Sequence, residues 1–265
     1  MSKVIAIVNQ KGGVGKTTTA VNLSASIAKM GHKTLLIDID PQANACLGIG
    51  VTRDQMTKSV YDILIGQAEA KEVIMPTYQE NLYLIPADSD LVGAQVELVN
   101  EIAREYKLKK AVETVKNDYE YIIIDCPPTL GILTLNALTA ADSVLIPIQC
   151  EFYALDGVAE LNNTIALVKE NLNKELQIEG VLLTMYDART KLAADVVKEV
   201  VNFFKEKTYK TMIPRNVRLS EAPSYGKAIG DYDKDCVGAR SYKEFAKEFV
   251  KNQNNIINIK NKRFL

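Results

Sequence analysis

Short apolar runs alternate with longer amphipathic stretches along most of the chain. Six of these runs are continuous, rich in β-branched residues and bounded by turn residues, as are strands of a parallel sheet that is covered on both faces. They span residues 3–8, 34–39, 82–87, 121–126, 143–148 and 178–184. We interpret all six as buried strands.

The stretches between the runs have helical spacing. The first predicted helix, Thr17–Met30, is followed by Gly31, a residue type that commonly ends helices. Strands that alternate with helices predict an α/β fold, doubly wound, with a mostly parallel sheet and helices on both faces. The other predicted helices are Ser89–Asn100, Glu105–Lys116, Leu130–Ala140, Leu155–Leu172 and Leu192–Lys205.

The chain of 265 residues shows no linker, repeat or low-complexity block before its end. We therefore predict a single domain over residues 1–251. The remaining residues, 252–265, are rich in asparagine and lysine, and asparagine is a poor helix former. We expect a last helix that ends near Lys251, followed by a frayed tail.

Composition narrows the class of protein. Hydrophobic residues make up 47% of the chain and charged residues 25%, which is ordinary for a soluble globular protein. The net charge is -1, so any surface for nucleic acid has to be a local patch. The four cysteines lie far apart, as expected of free thiols in a reducing cytosol. We find no signal peptide and no apolar stretch of about 20 residues, and expect a cytoplasmic protein.

A glycine-rich segment, residues 9–19, lies between the first predicted strand and the first predicted helix. Its sequence is NQKGGVGKTTT. The usual phosphate-loop pattern, G-x-x-x-x-G-K-[ST], ends here at residues 15–17, but position 10 holds Gln10 instead of the first glycine. A second lysine, Lys11, follows it. The segment therefore has the context of a phosphate loop and an additional cation.

The residue types in this segment suit phosphate binding. Gly12, Gly13 and Gly15 let backbone N–H groups turn toward one point, and the helix N-terminus adds its dipole. Lys16 would neutralise charge on the β- and γ-phosphates, and Thr17 would offer its hydroxyl to Mg²⁺. The alternative is a tight glycine turn that only packs the helix against the sheet, but packing gives no reason for lysine and threonine at the helix start.

Two predicted strands end in carboxylates, at the edge where open α/β sheets bind ligands. Asp125 is the candidate that holds Mg²⁺ or its waters, with a buried structural aspartate as the alternative. Asp38 and Asp40 follow the other strand. One of them would position a water molecule or Mg²⁺ while the other caps the turn before Pro41, and we assign catalysis to Asp40.

Several motifs together resemble the ParA family of DNA-partitioning ATPases, and within it the Soj branch. They occur in the family's order, from about Lys3 to Phe249, and read KGGVGKTTT, DIDPQANACLGIG, YIIIDCPP, PIQCEFYALDGV, LLTMYDART and IPRNVRLSEAP. The first motif alone is less specific, since MinD and the nitrogenase iron protein share this deviant Walker A loop. The resemblance implies a P-loop NTPase fold, ATP and Mg²⁺ as cofactors, and slow ATP hydrolysis that a partner stimulates.

The resemblance also implies roles for individual residues. In the family, the additional lysine, Lys11 here, reaches across a dimer interface to the nucleotide of the other subunit, so an ATP-bound homodimer is expected. Asp40 would activate the attacking water, and Asp125 would contact Mg²⁺ through water. Pro214 and Asn216 would lie near the adenine. The implied nucleotide-binding residues are Lys11, Gly12, Gly13, Val14, Gly15, Lys16, Thr17, Thr18, Pro214 and Asn216.

Two arginines are the candidates for a partner surface. Arg189 and Arg218 match family positions implicated in nonspecific binding of double-stranded DNA by the ATP dimer. A ParB-type centromere-binding protein would stimulate hydrolysis, and the protein would associate with the nucleoid to partition a chromosome or plasmid. The alternative is a MinD-like ATPase that binds the membrane through a basic C-terminal helix. Gln253 and Lys260 interrupt the apolar face of that helix, so we expect no stable membrane association.

Overall fold

The six predicted strands are all present. A computed structural model describes residues 2–151 and 156–263, with side chains described for residues 2–151 and 160–254. Within these ranges, seven strands form one sheet. They are β1 (Lys3–Ile7), β2 (Thr34–Asp38), β3 (Met75–Pro76), β4 (Leu82–Ile85), β5 (Tyr121–Asp125), β6 (Ser143–Gln149) and β7 (Gln177–Thr184).

The strand order is β3-β4-β2-β5-β1-β6-β7. Neighbouring strands run parallel, except that β3 pairs antiparallel with β4 at one edge. The central strands β2 and β5 are buried along their whole length, which explains why the apolar runs are continuous rather than alternating. The prediction of a doubly wound, mostly parallel sheet is confirmed. The carboxyl ends of β1, β2 and β5 meet at one edge of the sheet.

Helices connect the strands, and the described residues contain twelve α-helices. The six predicted helices correspond to α1 and to α5–α9; Leu155, where one of them was expected to begin, lies outside the described residues. The helices are α1 (Lys16–Lys29), α2 (Asn44–Gly48), α3 (Val60–Leu64), α4 (Ala70–Val73), α5 (Leu91–Glu97), α6 (Lys107–Val115), α7 (Ile132–Ala140), α8 (Asp156–Asn171), α9 (Lys191–Phe204), α10 (Val217–Glu221), α11 (Ile229–Tyr232) and α12 (Val237–Arg263).

Helix α1 lies between two glycines whose backbone is left-handed, a conformation that glycine adopts readily. Gly15 precedes it with φ of 90°, and Gly31 follows it with φ of 92°, values that residues with a Cβ rarely adopt. The stop predicted at Gly31 is confirmed. Inside the fold, the Thr19 hydroxyl and the Tyr242 hydroxyl form a buried hydrogen bond of 3.1 Å, which fixes α1 against α12.

The last helix is longer than the sequence predicts. Helix α12 continues to Arg263, so the prediction that it ends near Lys251 is wrong. The buried first part of α12 already nucleates the helix, so its extension does not carry the nucleation cost that an isolated asparagine-rich segment would have. Phe245 and Phe249 are fully buried and anchor the helix to the core. Residues 264 and 265 of the predicted tail lie outside the described residues. The single domain expected over residues 1–251 stays a prediction.

Candidate nucleotide-binding site

The loop between β1 and α1 has free space next to two of its glycines. Gly13 and Gly15 have φ of 73° and 90°, and a Cβ placed on Gly12 or Gly13 would meet nothing within 4 Å. Val14 between them is buried, and its carbonyl accepts a hydrogen bond of 2.8 Å from the Thr184 hydroxyl. Thr184 thus anchors the loop to the end of β7 through Val14, while Gly12 and Gly13 are exposed to solvent.

Lys16 is the first residue of α1, directly after this loop, and is only 7% exposed. Its Nζ donates a hydrogen bond of 3.1 Å to the carbonyl of Lys11. Burial lowers the pKa of Lys16, while the negative charge of Asp125 and Asp40 opposes that shift. A cation held in this position suits the β- and γ-phosphates of a nucleotide.

Lys11 is placed differently from Lys16. Its backbone N–H donates to Asn9 Oδ1 at 2.9 Å, and the Asn9 amide in turn donates to the carbonyl of Pro147 at 2.7 Å. The backbone of Lys11 is therefore fixed through both its N–H and its carbonyl. The residue itself is half-buried, so the loop carries one buried lysine and one that reaches the surface.

Three aspartates meet at the ends of β2 and β5. Asp38 and Asp125 are register partners on the adjacent strands, and both are fully buried, while Asp40 is nearly so. Burial raises the pKa of Asp125 well above its usual range, reinforced by the charge of Asp38 and opposed by the Thr17 hydroxyl and Lys16. Burial also raises the pKa of Asp38 to about 6, although backbone N–H groups that bond its carboxylate oppose the shift.

The carboxylate of Asp125 fits a metal ion. Both of its oxygens are buried and neither makes a hydrogen bond of normal geometry among the described residues, although the Thr17 hydroxyl is close enough to lower the pKa of Asp125; a buried polar group without a full partner is costly. A hard cation such as Mg²⁺ prefers oxygen ligands of this kind. In the part of the chain that the structure describes, no group of three or more His, Cys, Asp or Glu could hold a metal alone. Mg²⁺ would therefore be held jointly by Thr17, by Asp125 either directly or through a water molecule, and by phosphate.

Asp40 and the glycine loop line the same cavity, which has a volume of about 610 Å³. One oxygen of Asp40 accepts a hydrogen bond of 3.0 Å from the N–H of Gln42. The structure therefore brings together the candidate catalytic aspartate and the loop residues Gly12, Gly13, Gly15, Lys16 and Thr17, as the sequence predicts.

A second cavity, of about 220 Å³, adjoins the loop at Gly15 and Thr18. Pro214 and Asn216 line its other side, so the structure places both candidate base contacts beside the loop. The Asn216 side chain also begins α10, because its Oδ1 accepts from the N–H of Arg218 at 2.9 Å. A contact of either residue with adenine stays a prediction.

Two further residues at the end of β7 belong to the site, although the sequence analysis did not select them. Thr184 anchors the loop, and Met185 lines both cavities with a left-handed backbone at φ of 51°. Strain of this kind is common at ligand sites. The signal available in the sequence was the end of a predicted parallel strand, where open α/β sheets bind ligands.

The two arginines predicted to bind DNA do not line these cavities, and each is paired with a carboxylate. Arg189, whose side chain is 87% exposed, bonds both oxygens of Asp187 at 2.9 and 2.7 Å. These hydrogen bonds lower the pKa of Asp187 to about 2. Arg218, 48% exposed, lies 2.8 Å from Glu221 and 3.6 Å from Asp233. Both guanidinium groups are on the surface, but neither lacks an anionic partner.

The sheet, the glycine loop and the aspartates at the strand ends define a P-loop ATPase with a second lysine in its loop. A family model described as an AAA domain matches residues 2–178. The chain is 58% identical over 252 residues to the sporulation initiation inhibitor protein Soj of Bacillus subtilis, covering 95% of this chain and 100% of that protein. It is 51% identical over 251 residues to the chromosome partitioning protein ParA of Myxococcus xanthus, covering 95% and 89%. The chain therefore belongs to the Soj/ParA family of chromosome-partitioning ATPases.

Solved structures agree with this class. A cobyrinic acid a,c-diamide synthase from Mycobacterium smegmatis with bound ADP and magnesium has a TM-score of 0.84, 36% identity and 96% coverage of each chain. The cell division ATPase MinD of Pyrococcus furiosus has a TM-score of 0.77, 28% identity and coverage of 95% of this chain and 99% of that one. These comparisons confirm the predicted fold and the ATPase class, and the ADP and magnesium bound to the first of these structures agree with the expected cofactors ATP and Mg²⁺. The roles of individual residues stay predictions.

Proposed function

We propose that this protein is an ATP-dependent dimerisation switch for chromosome or plasmid partitioning. ATP joins two copies, the dimer binds double-stranded DNA without sequence preference, and hydrolysis separates the copies. Hydrolysis is slow alone and is stimulated by a ParB-type centromere-binding protein, and the protein works in the cytoplasm on the nucleoid. The observation that carries the proposal is the placement of two loop lysines, with Lys16 buried inside its own loop and Lys11 half-buried beside it.

The chain's own residues supply position and charge around ATP. The N–H groups of the glycine loop and the ammonium of Lys16 bind the phosphates, while Thr17 and Asp125 would hold Mg²⁺. Bound Mg²⁺ would neutralise charge on the β- and γ-phosphate oxygens. Asp40 lines the same cavity and orients the attacking water. Phosphoryl transfer depends mainly on such positioning and on charge stabilisation.

The role proposed for Lys11 comes from its resemblance to the family's second loop lysine, and the placement of Lys16 supports it. Lys16 provides the cation of its own loop, and its Nζ bonds the backbone carbonyl of Lys11. The Lys11 side chain is therefore available to the nucleotide of a second subunit. A cation supplied across an interface stabilises charge in the transition state, as an arginine finger does. Hydrolysis would then require the dimer.

The DNA surface would be built around Arg189 and Arg218. The net charge of the chain is -1, so attraction to DNA has to come from local groups rather than from the whole protein. Each arginine would exchange its carboxylate partner for a DNA phosphate. Contacts with phosphates carry no sequence information, which agrees with binding that ignores sequence.

A MinD-like membrane role is the alternative, and the likeness to the MinD of Pyrococcus furiosus favours it. Two aromatic residues that would contribute to such an anchor are, however, packed in the core. Phe245 and Phe249 are fully buried in the core, and Gln253 is only 4% exposed and donates to Glu179. Among the described helices, none is long and apolar enough to cross a membrane. Because Phe245, Phe249 and Gln253 are engaged within the protein, we prefer the DNA proposal.

The proposal is tested by measuring dimer mass and DNA binding with ATP, with ADP and without nucleotide. We expect a dimer that binds random-sequence duplex DNA only in the presence of ATP, and not with ADP or without nucleotide. Flotation with anionic lipid vesicles in the same three nucleotide states tests the alternative membrane role. Equal DNA binding in all three states would contradict the switch, and ATP-dependent flotation without DNA binding would favour the membrane role.

A further inference from the structure

The carboxylate of Asp38 joins two segments that approach the cavity from different directions. Its Oδ1 accepts a hydrogen bond of 3.0 Å from the N–H of Asp40. Its Oδ2 accepts from the N–H groups of Ala45 and Cys46 at 3.0 and 3.1 Å, and from the Cys46 thiol at 3.3 Å. Each oxygen therefore serves a different segment.

The first segment is helix α2, which has no cap of its own. Ala43 precedes the helix with a left-handed backbone, and its side chain makes no capping bond. Free N–H groups at a helix start need an acceptor, and Oδ2 of Asp38 supplies it from the end of β2. Helix α2 carries Asn44, Leu47 and Gly48 on the wall of the large cavity, so this oxygen shapes the wall.

The second segment is the turn that holds Asp40. The Asp40 carbonyl accepts from the N–H of Ala43 at 2.8 Å, and its side chain accepts from the N–H of Gln42. These bonds close the turn on itself but do not fix it to the sheet. The Ile39 N–H, just before the turn, donates to the carbonyl of Asp125 on β5 at 3.1 Å, and the bond from the Asp40 N–H to Oδ1 of Asp38 joins the backbone of Asp40 itself to the end of β2.

Capping alone does not account for a carboxylate at position 38. Asp38 is the register partner of Asp125, and two buried carboxylates side by side repel each other. A neutral asparagine would cap α2 without that repulsion. It has only one acceptor oxygen, however, so it could not serve both α2 and the turn. The two-sided bonding explains why a carboxylate is needed.

We infer that Asp38 is a positioning residue for ATP hydrolysis, which holds the backbone of Asp40 in place while it caps α2. The inference rests on the proposed role of Asp40 in orienting water. Asp38 itself need not touch ATP.

The variant Asp38→Asn separates the two duties of this side chain. We expect its amide oxygen to face the three donors at α2, because they outnumber the single donor at Asp40. Its NH₂ group would then face the N–H of Asp40, and two donors repel each other. Helix α2 and ATP affinity should be retained, while kcat should fall about 10- to 100-fold, the order that a misplaced reacting group costs.

Cys46→Ala is the matched control. It removes one donor to the same carboxylate, but on the α2 side, and leaves the bond to Asp40 in place. We expect its kcat to stay close to that of the unaltered protein. Melting temperatures of both variants, measured alongside, show whether assays are made on folded protein.

The experiment measures basal ATPase kinetics and ATP affinity for the unaltered protein, Asp38→Asn, Cys46→Ala and Asp40→Ala, without DNA or partner. A lower kcat with unchanged ATP affinity in Asp38→Asn, together with an inactive Asp40→Ala, supports the inference. Unchanged kcat with a lower melting temperature in Asp38→Asn would mean that the carboxylate only caps the helix. Weaker ATP affinity with unchanged kcat would assign it to the cavity wall alone. Normal hydrolysis by Asp40→Ala would instead overturn the proposed role of Asp40, and the inference with it.

Discussion

Around the nucleotide loop all the charged candidate residues except Lys11 are buried, whereas on the proposed DNA surface they are exposed and already paired. Lys16 and Asp125 are held by the fold, and neither oxygen of Asp125 has a hydrogen-bond partner among the described residues. Arg189 and Arg218 face solvent, and each contacts a carboxylate of its own chain. The first region is built to receive a ligand, while the second has to exchange one anion for another.

The difference sets how each region responds to change. An exposed ion pair contributes about 0–1 kcal/mol, so a DNA phosphate can replace the carboxylate without a large loss. Buried charges cannot exchange partners in this way, because the uncompensated group would remain in a low dielectric. One substitution should therefore disable the nucleotide site, whereas the DNA surface should weaken in steps.

The largest effect is expected from Lys16→Ala. The variant removes the buried cation that contacts the loop from the start of α1, so the phosphates lose the side chain that neutralises them. We expect ATP-dependent dimerisation to disappear, measured by analytical ultracentrifugation with Mg-ATP. Lys29→Ala is the control, since Lys29 lies at the other end of α1 in an ion pair with Asp231 and should not affect the dimer. An ATP dimer of Lys16→Ala would contradict the assignment.

The next effect concerns Lys11→Ala, which should bind nucleotide but neither hydrolyse it nor respond to ParB. A mixture with Asp40→Ala tests whether Lys11 acts across the interface. In a mixed dimer, one site would combine an intact Asp40 with a Lys11 from the other subunit, and some hydrolysis should return. If Lys11 acts within its own subunit, both sites stay incomplete and the mixture remains inactive. Full activity of Lys11→Ala alone would make it a surface charge only.

A smaller, graded effect is expected on the DNA surface. Arg189→Ala and Arg218→Ala should each remove one ion pair with a DNA phosphate, so each should lower the slope of log affinity against log salt by about 1. The double variant should bind duplex DNA very weakly at physiological salt, while ATP-dependent dimerisation and basal hydrolysis persist. A salt titration with ATP measures the slope, and dimer mass is followed in parallel. An unchanged slope in the double variant would place the DNA surface elsewhere.

The smallest effect is expected from Asp187→Asn. The variant removes the charge that holds Arg189, so the guanidinium should reach phosphate more readily. Affinity for duplex DNA should rise by up to about fivefold, the equivalent of an exposed ion pair. The gain should vanish when Arg189→Ala is added. A fall in affinity would show that Asp187 orients the arginine for DNA instead of competing with it.

The sequence predicts the nucleotide region better than the rest of the molecule. The six long strands and the glycine loop are recognised because burial on both faces and phosphate chemistry each restrict residue type. Strand β3 has only Met75 and Pro76, and α2 has only five residues. Neither is long enough to show a periodic spacing of hydrophobic residues. Local propensity also misplaced the end of α12, because it does not take into account that a helix already anchored in the core extends without a new nucleation cost.

The partners of the charged side chains were the hardest to predict. The pairing of Asp38 with Asp125 depends on the register of β2 and β5, which no local pattern specifies. The ion pair of Arg218 with Asp233 joins two separate segments of the chain. Such pairs follow from tertiary packing, and the sequence shows only that the residues are charged.

The strand order also has a consequence for synthesis on the ribosome. The strand that carries the loop, β1, has two neighbours in the sheet, and these begin at Tyr121 and Ser143. Translation proceeds at about 5–20 residues per second, so β1 leaves the ribosome many seconds before either neighbour. Throughout that interval an apolar strand is unpaired and the loop has no sheet beneath it. We expect the nascent chain to depend on chaperones and to gain nucleotide binding only after β7, which anchors the loop through Thr184, and the segment with Pro214 and Asn216 have emerged.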